Sequence, residues 1–179
     1  MEKRDFSFKV KSFDAPDGSF EGDLAVYGNE DLGGDVIQPG AFARSIKANG
    51  SQIPLLWQHR PDEPIGTLIL NDTPGSLQVK GQLLLDLPMA QKARVLLKAK
   101  IVKGLSIGYD TIVEDYVGGT RHLKELRLWE GSVVTFPMNP LATVTAIKTL
   151  DDPEDEQEEV DALQQIYNSL LRLGSVLKP

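Results

Sequence analysis

The sequence predicts a mainly β protein with flanking helices, of the α+β class, built on a closed or nearly closed antiparallel β-barrel of about seven strands. Two observations favour this architecture. Short segments with strand-like patterns alternate with turns containing Gly, Pro or Asp along most of residues 5–150. Only residues 39–50 and 88–101 have an internal helical pattern.

Most of the short predicted strands lie in the first half of the chain. Residues 5–13 alternate apolar and polar side chains, which predicts a strand with one buried face. Residues 19–27 follow a turn at Pro16-Asp17-Gly18 and are expected to complete a hairpin with that strand. Residues 28–40, rich in Gly and Asp, are predicted to be a loop. Further strands are predicted at residues 53–58, 65–70 and 77–85, with a loop around residues 59–64.

The two internal helices have recognisable ends. The first is expected to begin near Pro39-Gly40 and to end at Asn49-Gly50, because Asn and Gly accept the backbone conformation that ends helices. The second, at residues 88–101, places most of its apolar side chains on one face. Pro88 suits its first turn, and Asp86 could cap it.

The second half of the chain predicts long strands. Residues 104–117 and 120–136 flank Gly118-Gly119, a pair that is typical of a tight β-hairpin turn. Residues 143–150 are predicted to close the β portion. We therefore expect a barrel domain at residues 1–150.

A strongly acidic segment separates this domain from the end of the chain. Residues 151–159 contain seven acids and no base, whereas residues 1–150 are nearly neutral. The segment is expected to be a solvated linker, with docking to a basic partner as the alternative. Residues 160–179 predict an amphipathic helix, which could pack on the barrel, self-associate or dock a partner. The neutral barrel predicts no direct binding to nucleic acid.

Composition excludes several classes of site. The chain contains no cysteine, which rules out disulfides, Cys-based zinc sites and a thiol nucleophile. With only two histidines, far apart in sequence, we expect no metal centre. Neither a P-loop nor a dinucleotide fingerprint is present, so no cofactor is expected. No apolar segment is long enough to span a bilayer, and the first residues lack a signal-peptide core, which together predict a cytosolic protein with no membrane partner.

Three polar side chains interrupt apolar segments: His59, Ser106 and Glu130. Because burial of a polar group costs free energy unless it is hydrogen-bonded, we expect these three to meet. A hydroxyl, an imidazole and a carboxylate are the parts of an activated serine nucleophile. Their order along the chain differs from that of the chymotrypsin, subtilisin and α/β-hydrolase types, which predicts an uncommon class of serine protease.

Each of these residues also has a structural interpretation. Ser106 could be a small polar residue at a crowded position, His59 could be structural, and Glu130 could form an ion pair with an arginine or lysine. His122 follows a hairpin turn and is expected to be mostly exposed. The other candidates for the third catalytic group are Asp35, Asp110 and His122.

The segment Gly104-Leu105-Ser106-Ile107-Gly108 matches the Gly-x-Ser-x-Gly pattern of lipases and esterases. That nucleophile elbow requires a strand, a sharp turn and then a helix, with the acid and the histidine after the serine. Here a strand is predicted to continue beyond Ser106, so the lipase interpretation is disfavoured. The two glycines would allow a substrate backbone to approach closely.

The chain resembles the phage prohead, or head-maturation, serine proteases, which are distant relatives of the herpesvirus capsid-assembly protease, assemblin. The resemblance is carried by four segments in order: GGDVIQPGAF (33–42), PLLWQH (54–59) with PIG (64–66), GLSIGY (104–109) and EGSVVTFPMNPLA (130–142). They cover most of residues 5–148 and leave out the acidic linker and the final helix.

This resemblance implies an assemblin-like barrel endopeptidase. Ser106 would be the nucleophile and His59 the general base. Assemblin relatives use a second histidine as the third group, and this chain has Glu130 at the matching position, where it would orient His59. An oxyanion hole is also needed, and its predicted donors are Asn139 or the backbone of residues 137–140.

The resemblance also implies a biological setting. The protease would act inside the assembling procapsid in the host-cell cytoplasm, or in the bacterial cytoplasm if it is encoded by a prophage. Its expected partners are the major capsid protein with its scaffolding region, or a separate scaffold protein. It would cleave these and itself, as a homodimer or higher oligomer. The competing hypothesis is a non-catalytic assembly or scaffolding partner on the same fold, acting through the acidic linker and the terminal helix.

Overall fold

Eight strands and two helices occupy residues 17–147, the part of the chain that our computed structural model describes. Among these residues, no helix is long and apolar enough to cross a membrane. The strand predicted at residues 5–13, the linker at 151–159 and the helix at 160–179 lie outside them. The strands are β1 Ser19–Val26, β2 Asp35–Ile37, β3 Gln52–Trp57, β4 Arg60–Asp72, β5 Ser76–Leu83, β6 Gly104–Val117, β7 Thr120–Val134 and β8 Val144–Ile147, and the helices are α1 Ala43–Asn49 and α2 Pro88–Lys98.

The strands form one mixed sheet in the order β2-β7-β3-β4-β5-β1-β8, with β6 paired to β7. The protein is mainly β with few helices, as predicted. The prediction of an entirely antiparallel barrel is wrong, because β2 and β3 both run parallel to β7. With 15 residues, β7 is long enough to pair with β2 at residues 121–123 and with β3 at residues 131–133. The short β2 lies in the segment predicted to be a loop.

The sheet curls but does not close into a barrel. Strand β8 is antiparallel to β1, and among the described residues it meets β6 only near one end. There Gly104 and Thr143 form an isolated bridge, the Leu105 amide donates to the Ala142 carbonyl at 2.9 Å, and the Val144 amide donates to the Lys103 carbonyl at 2.9 Å. The prediction of a closed or nearly closed barrel is therefore wrong, because no continuous ladder joins β8 to β6 within residues 17–147.

The core fills the inside of the curl, and the helices cover its sides. Helix α1 packs on β7, and α2 packs on β4, β5 and β8. Pro88 opens α2 as predicted, but Leu87 is the N-cap residue and no side chain caps the helix. The helix ends at Lys98, and Lys100 beyond it has a φ of 55°. The largest fully buried side chains include Leu24, Phe42, Leu55, Ile65, Leu68, Leu77, Leu105, Leu123 and Val133.

Candidate active site

Three neighbouring strands carry the residues that the sequence singles out. Strand β7 lies between β6 and β3 and bears Glu130. Ser106 on β6 is the cross-strand partner of Ser132 on β7. Strand β3 runs parallel to β7 from Leu55 opposite Gly131 and delivers the chain to His59 just past its end. The sheet therefore brings together residues that are 71 positions apart in sequence.

A β-bulge in β7 sets the side-chain directions at the site. Leu128 pairs with Tyr109 and Glu130 pairs with Gly108, so Trp129 is the extra residue on β7. Just before the bulge, Leu126 and Leu128 enter the core, and after it Gly131 and Val133 take the core side. An extra residue reverses the alternation of a strand. The bulge therefore turns Glu130 away from the core and toward the face that carries Ser106.

His59 lies in a strained two-residue turn. Gln58 and His59 have φ values of 53° and 58°, and they join β3 to β4 between Trp57 and Arg60. Two positive φ values are typical of a type I′ hairpin turn, which favours Asn and Gly. For residues of other types, this backbone conformation costs about 1–3 kcal/mol of conformational free energy per residue. The loop predicted at residues 59–64 is thus a tight turn, and Arg60 already belongs to β4.

Hydrogen bonds to β7 and to Thr135 just after it hold this turn in place. The Gln58 amide donates to the Val133 carbonyl at 3.0 Å, and the Gln58 side chain donates to Thr135 Oγ1 at 2.8 Å. The His59 amide donates to Ser132 Oγ at 3.1 Å. These contacts compensate the backbone strain and fix the position from which the imidazole reaches the two strands beside it.

The three side chains converge as the sequence predicts. His59 Nε2 lies 2.8 Å from Ser106 Oγ, and His59 Nδ1 lies 2.7 Å from Glu130 Oε1. The Glu130 side chain is only 12% exposed, whereas the His59 side chain is 42% exposed. The carboxylate of Glu130 is thus hydrogen-bonded to His59 rather than paired with an arginine or lysine. The trio is therefore buried at Glu130 and open to solvent at its other end, where a substrate can reach Ser106.

The hydrogen-bond pattern defines what this trio can do. An ionised carboxylate only accepts, so the neutral imidazole carries its proton on Nδ1 and donates it to Glu130. Nε2 is then free to accept the hydroxyl proton of Ser106. A nucleophile bonded to a base, and a base oriented by a third group, is the arrangement of nucleophilic acyl transfer.

The structure gives the glycines around Ser106 roles other than those of a nucleophile elbow. Ser106 lies within β6, which continues to Val117 with no turn into a helix, so the lipase interpretation does not fit. Gly108 is directly opposite Glu130, and a Cβ on Gly108 would lie 2.4 Å from Glu130 Oε1. Gly108 therefore makes room for the carboxylate. Gly104 similarly accommodates Pro137, 2.7 Å from where its Cβ would be.

Gly108→Ala is expected to disable the site while the fold survives. The added methyl would displace the Glu130 carboxylate, and misplacement by about 1 Å can cost on the order of 100-fold in rate. We expect kcat to fall by about that factor, measured as hydrolysis of a peptide substrate. Gly75→Ala is the matched control, since nothing lies within 4 Å of a Cβ there. Equal activity in both variants would contradict this role for Gly108.

The other candidates for the third group are engaged elsewhere. Asp35 binds the Arg121 guanidinium through both carboxylate oxygens, and this hydrogen bonding raises the pKa of Arg121. Asp110 lies 3.8 Å from an Arg127 nitrogen on the exposed side of the hairpin. His122 is half-buried rather than mostly exposed as predicted, because its Nδ1 is 2.9 Å from the Gln38 amide nitrogen. It lies eight residues along β7 from Glu130.

Asn139 lies in the loop between β7 and β8. Its side chain and that of Asn29 form two mutual hydrogen bonds of 3.2 Å, and its Oδ1 also accepts from the Leu141 amide at 3.0 Å. None of the hydrogen bonds found for Asn139 within residues 17–147 reaches Ser106 or His59.

Sequence reasoning gave no role to Ser132, which contacts two of the three site residues. Its side chain is fully buried, accepts from the His59 amide and donates to Glu130 Oε2 at 2.7 Å. The spacing Glu-x-Ser on a strand places both side chains on one face, which is the signal that could have identified it.

No group of three or more potential metal ligands occurs within residues 17–147.

Comparison with known proteins identifies a family and relatives to which this chain is similar. A family model described as caudovirus prohead serine protease matches residues 6–156. The prohead protease of Enterobacteria phage HK97 is 33% identical over 147 residues, which cover 79% of this chain and 65% of that protein. A capsid polyprotein of Pseudomonas phage PAJU2 is 34% identical over 127 residues, covering 65% of this chain and 18% of that protein.

A solved structure of a KSHV protease, in complex with a hexapeptide phosphonate inhibitor, aligns with 70% of this chain and 63% of its own at a TM-score of 0.49 and 11% identity. The chain spans about two thirds of the length of the HK97 protein and about a fifth of the PAJU2 protein. The family model, by contrast, covers most of the chain, including every residue of the site. The chain therefore belongs to the caudovirus prohead serine proteases.

Proposed function

We propose that this protein is a serine endopeptidase of phage capsid maturation. One observation carries the proposal: Ser106 Oγ, the His59 imidazole and the Glu130 carboxylate form a continuous hydrogen-bonded line with contacts of 2.8 and 2.7 Å. Family membership supports the same reaction class. Ser106 is the nucleophile, His59 the general base and Glu130 the group that orients His59.

The reaction proceeds by acyl transfer. Ser106 Oγ attacks a peptide carbonyl while His59 Nε2 accepts its proton, and the imidazolium then gives that proton to the leaving amine. Glu130 stabilises the imidazolium through Nδ1 and keeps the ring in the required tautomer. Water, activated by His59, hydrolyses the acyl-enzyme and regenerates the Ser106 hydroxyl.

The proposed substrates are the scaffold protein, or the scaffolding region of the major capsid protein, and the protease itself. Two relatives support this choice by name, since one is a prohead protease and the other a capsid polyprotein. The proposed place of action is the interior of the assembling procapsid in the host cell. A homodimer or higher oligomer remains a prediction from the resemblance to assemblin.

Co-expression with the cognate capsid protein tests this function. We expect wild-type protease to shorten the capsid or scaffold protein and Ser106→Ala to leave it at full length, as read from fragment masses. Identical masses in both cases, despite assembled shells, would contradict the proposal and favour the non-catalytic scaffolding partner. Performing the test in shells allows for a protease that is active only after assembly.

Asn139 or the backbone of residues 137–140 remains the predicted oxyanion donor, and Asn139→Ala tests the side chain. Loss of one such donor costs about 100- to 1000-fold in kcat, so we expect a fall of that size with a folded protein. Asn29→Ala is the matched control, because it removes the mutual amide pair without removing the Asn139 side chain. If both variants lost activity equally, Asn139 would serve the loop rather than the oxyanion.

A further inference from the structure

We propose that Ser132 is a positioning residue whose hydroxyl holds the Glu130 carboxylate and the His59 backbone in the arrangement from which His59 can accept a proton. The inference deepens the proposed function and rests on it for its catalytic meaning. Ser132 touches neither Ser106 Oγ nor a substrate in this role. It acts through its contacts with His59 and Glu130.

The contacts of Ser132 form a closed ring with these residues. Its Oγ accepts from the His59 amide at 3.1 Å and donates to Glu130 Oε2 at 2.7 Å. The other carboxylate oxygen, Glu130 Oε1, is hydrogen-bonded to Nδ1 of the same histidine at 2.7 Å. His59 is thus held at its backbone and at its ring by two side chains of one strand. Both carboxylate oxygens of Glu130 are satisfied, which fixes the rotation of the carboxylate.

Burial makes this hydroxyl costly to lose. Ser132 is fully buried, so water cannot replace its hydrogen bonds when the hydroxyl is removed. Glu130 Oε2 would then lose its donor, and the His59 amide would lose its acceptor. The amide matters because His59 holds a positive φ of 58°, a conformation that persists only when surrounding contacts enforce it.

A second buried serine provides a comparison for a purely structural role. Ser45 on α1 is 8% exposed, and its Oγ accepts from the Leu128 amide on β7 at 3.0 Å. It resembles Ser132 in burial and in bonding to a backbone amide, but it does not contact Glu130 or His59. A general effect of deleting a buried hydroxyl should therefore appear in both serines, and a positioning effect only in Ser132.

The kinetic test compares Ser132→Ala with Ser45→Ala and Ser132→Thr. For Ser132→Ala we expect kcat to fall by about 10- to 100-fold with KM nearly unchanged, because a misoriented base slows the chemical step. Ser132→Thr keeps the hydroxyl and should recover most of the rate. Ser132→Cys, with a weaker donor in similar space, should fall between them. Ser45→Ala should keep the wild-type kcat. Equal losses in Ser132→Ala and Ser45→Ala would overturn the inference.

A structural readout that needs no turnover completes the test. The chain has two histidines, so the proton NMR signal of the His59 Nδ1–H can be assigned by its loss in His59→Ala and its retention in His122→Ala. We expect this signal in wild type, Ser45→Ala and Ser132→Thr, and its loss or broadening in Glu130→Gln and Ser132→Ala. An unchanged signal in Ser132→Ala would overturn the inference. Absence of capsid or scaffold cleavage by wild type in assembled shells would instead count against the proposed function, since the NMR comparison stands apart from turnover.

Discussion

Ser106→Ala is expected to lower peptide hydrolysis by about a millionfold, and His59→Ala by nearly as much. The reason is that Ser106 Oγ and His59 Nε2, 2.8 Å apart, act as one unit in the proposed mechanism. Without the base the hydroxyl is a weak nucleophile, and without the hydroxyl the base has no partner. The double variant should therefore be no slower than the slower single variant. Initial rates on a capsid-derived peptide measure all three.

The second histidine and a second serine supply the controls. His122→Ala removes the imidazole that contacts Gln38, and Ser45→Ala removes a hydroxyl next to Leu128. Both should keep turnover close to that of wild type. Independent, multiplicative losses in the double variant of Ser106 and His59 would contradict a shared proton transfer.

Glu130→Gln is expected to reduce kcat by about 10⁴-fold while leaving the fold intact. An amide keeps the size of the side chain but cannot stabilise the imidazolium as a carboxylate does. Its NH₂ group can also donate to Nδ1, which favours the wrong histidine tautomer. Rates on the same peptide, together with a thermal melt, separate this chemical effect from unfolding.

Glu125→Gln is the control for this substitution on the same strand. Glu125 accepts a hydrogen bond from Arg44, and exposed pairs of this kind contribute about 1 kcal/mol or less. Its replacement should leave kcat unchanged. A Glu130→Gln variant with near wild-type kcat would show that another group orients His59, and Glu130 would lose its assigned role.

Local signals in the sequence predicted the elements that depend on local chemistry. The β6–β7 hairpin was placed correctly because Gly118 and Gly119, with φ values of 62° and 92°, satisfy a turn that few other residues accept. The start of α2 followed from Pro88. The convergence of the site residues was also predicted, since a carboxylate in an apolar strand such as Glu130 needs a partner.

Features set by distant contacts were not predictable in this way. The three-residue β2 has no pattern of its own and exists because Asp35–Ile37 pairs with the far end of β7. The parallel pairing of β3 with β7 likewise depends on a strand that is more than 60 residues away. The turn at Gln58 and His59 contains neither Asn nor Gly, so its sequence does not predict a tight turn. Hydrogen bonds to β7, rather than local conformational preference, hold its backbone.

The bulge at Trp129 explains why the side-chain directions in β7 could not be predicted from alternation alone. A strand that kept its phase from Leu128 onward would have turned Glu130 and Ser132 into the core. The extra residue turns them toward Ser106 instead. An inserted residue of this kind leaves no mark in composition, so alternation alone does not show which face of β7 carries Glu130 and Ser132.

The most direct test of the central claim is covalent trapping of the nucleophile in assembled shells. A fluorophosphonate added to shells that contain the wild-type protease should lose fluoride and leave one phosphonyl adduct, located on Ser106 by peptide mass mapping. The adduct should be absent in Ser106→Ala and strongly reduced in His59→Ala, and it should persist in His122→Ala. An adduct on another serine, or no adduct in shells whose capsid protein is nevertheless being cleaved, would contradict Ser106 as the nucleophile that His59 and Glu130 activate.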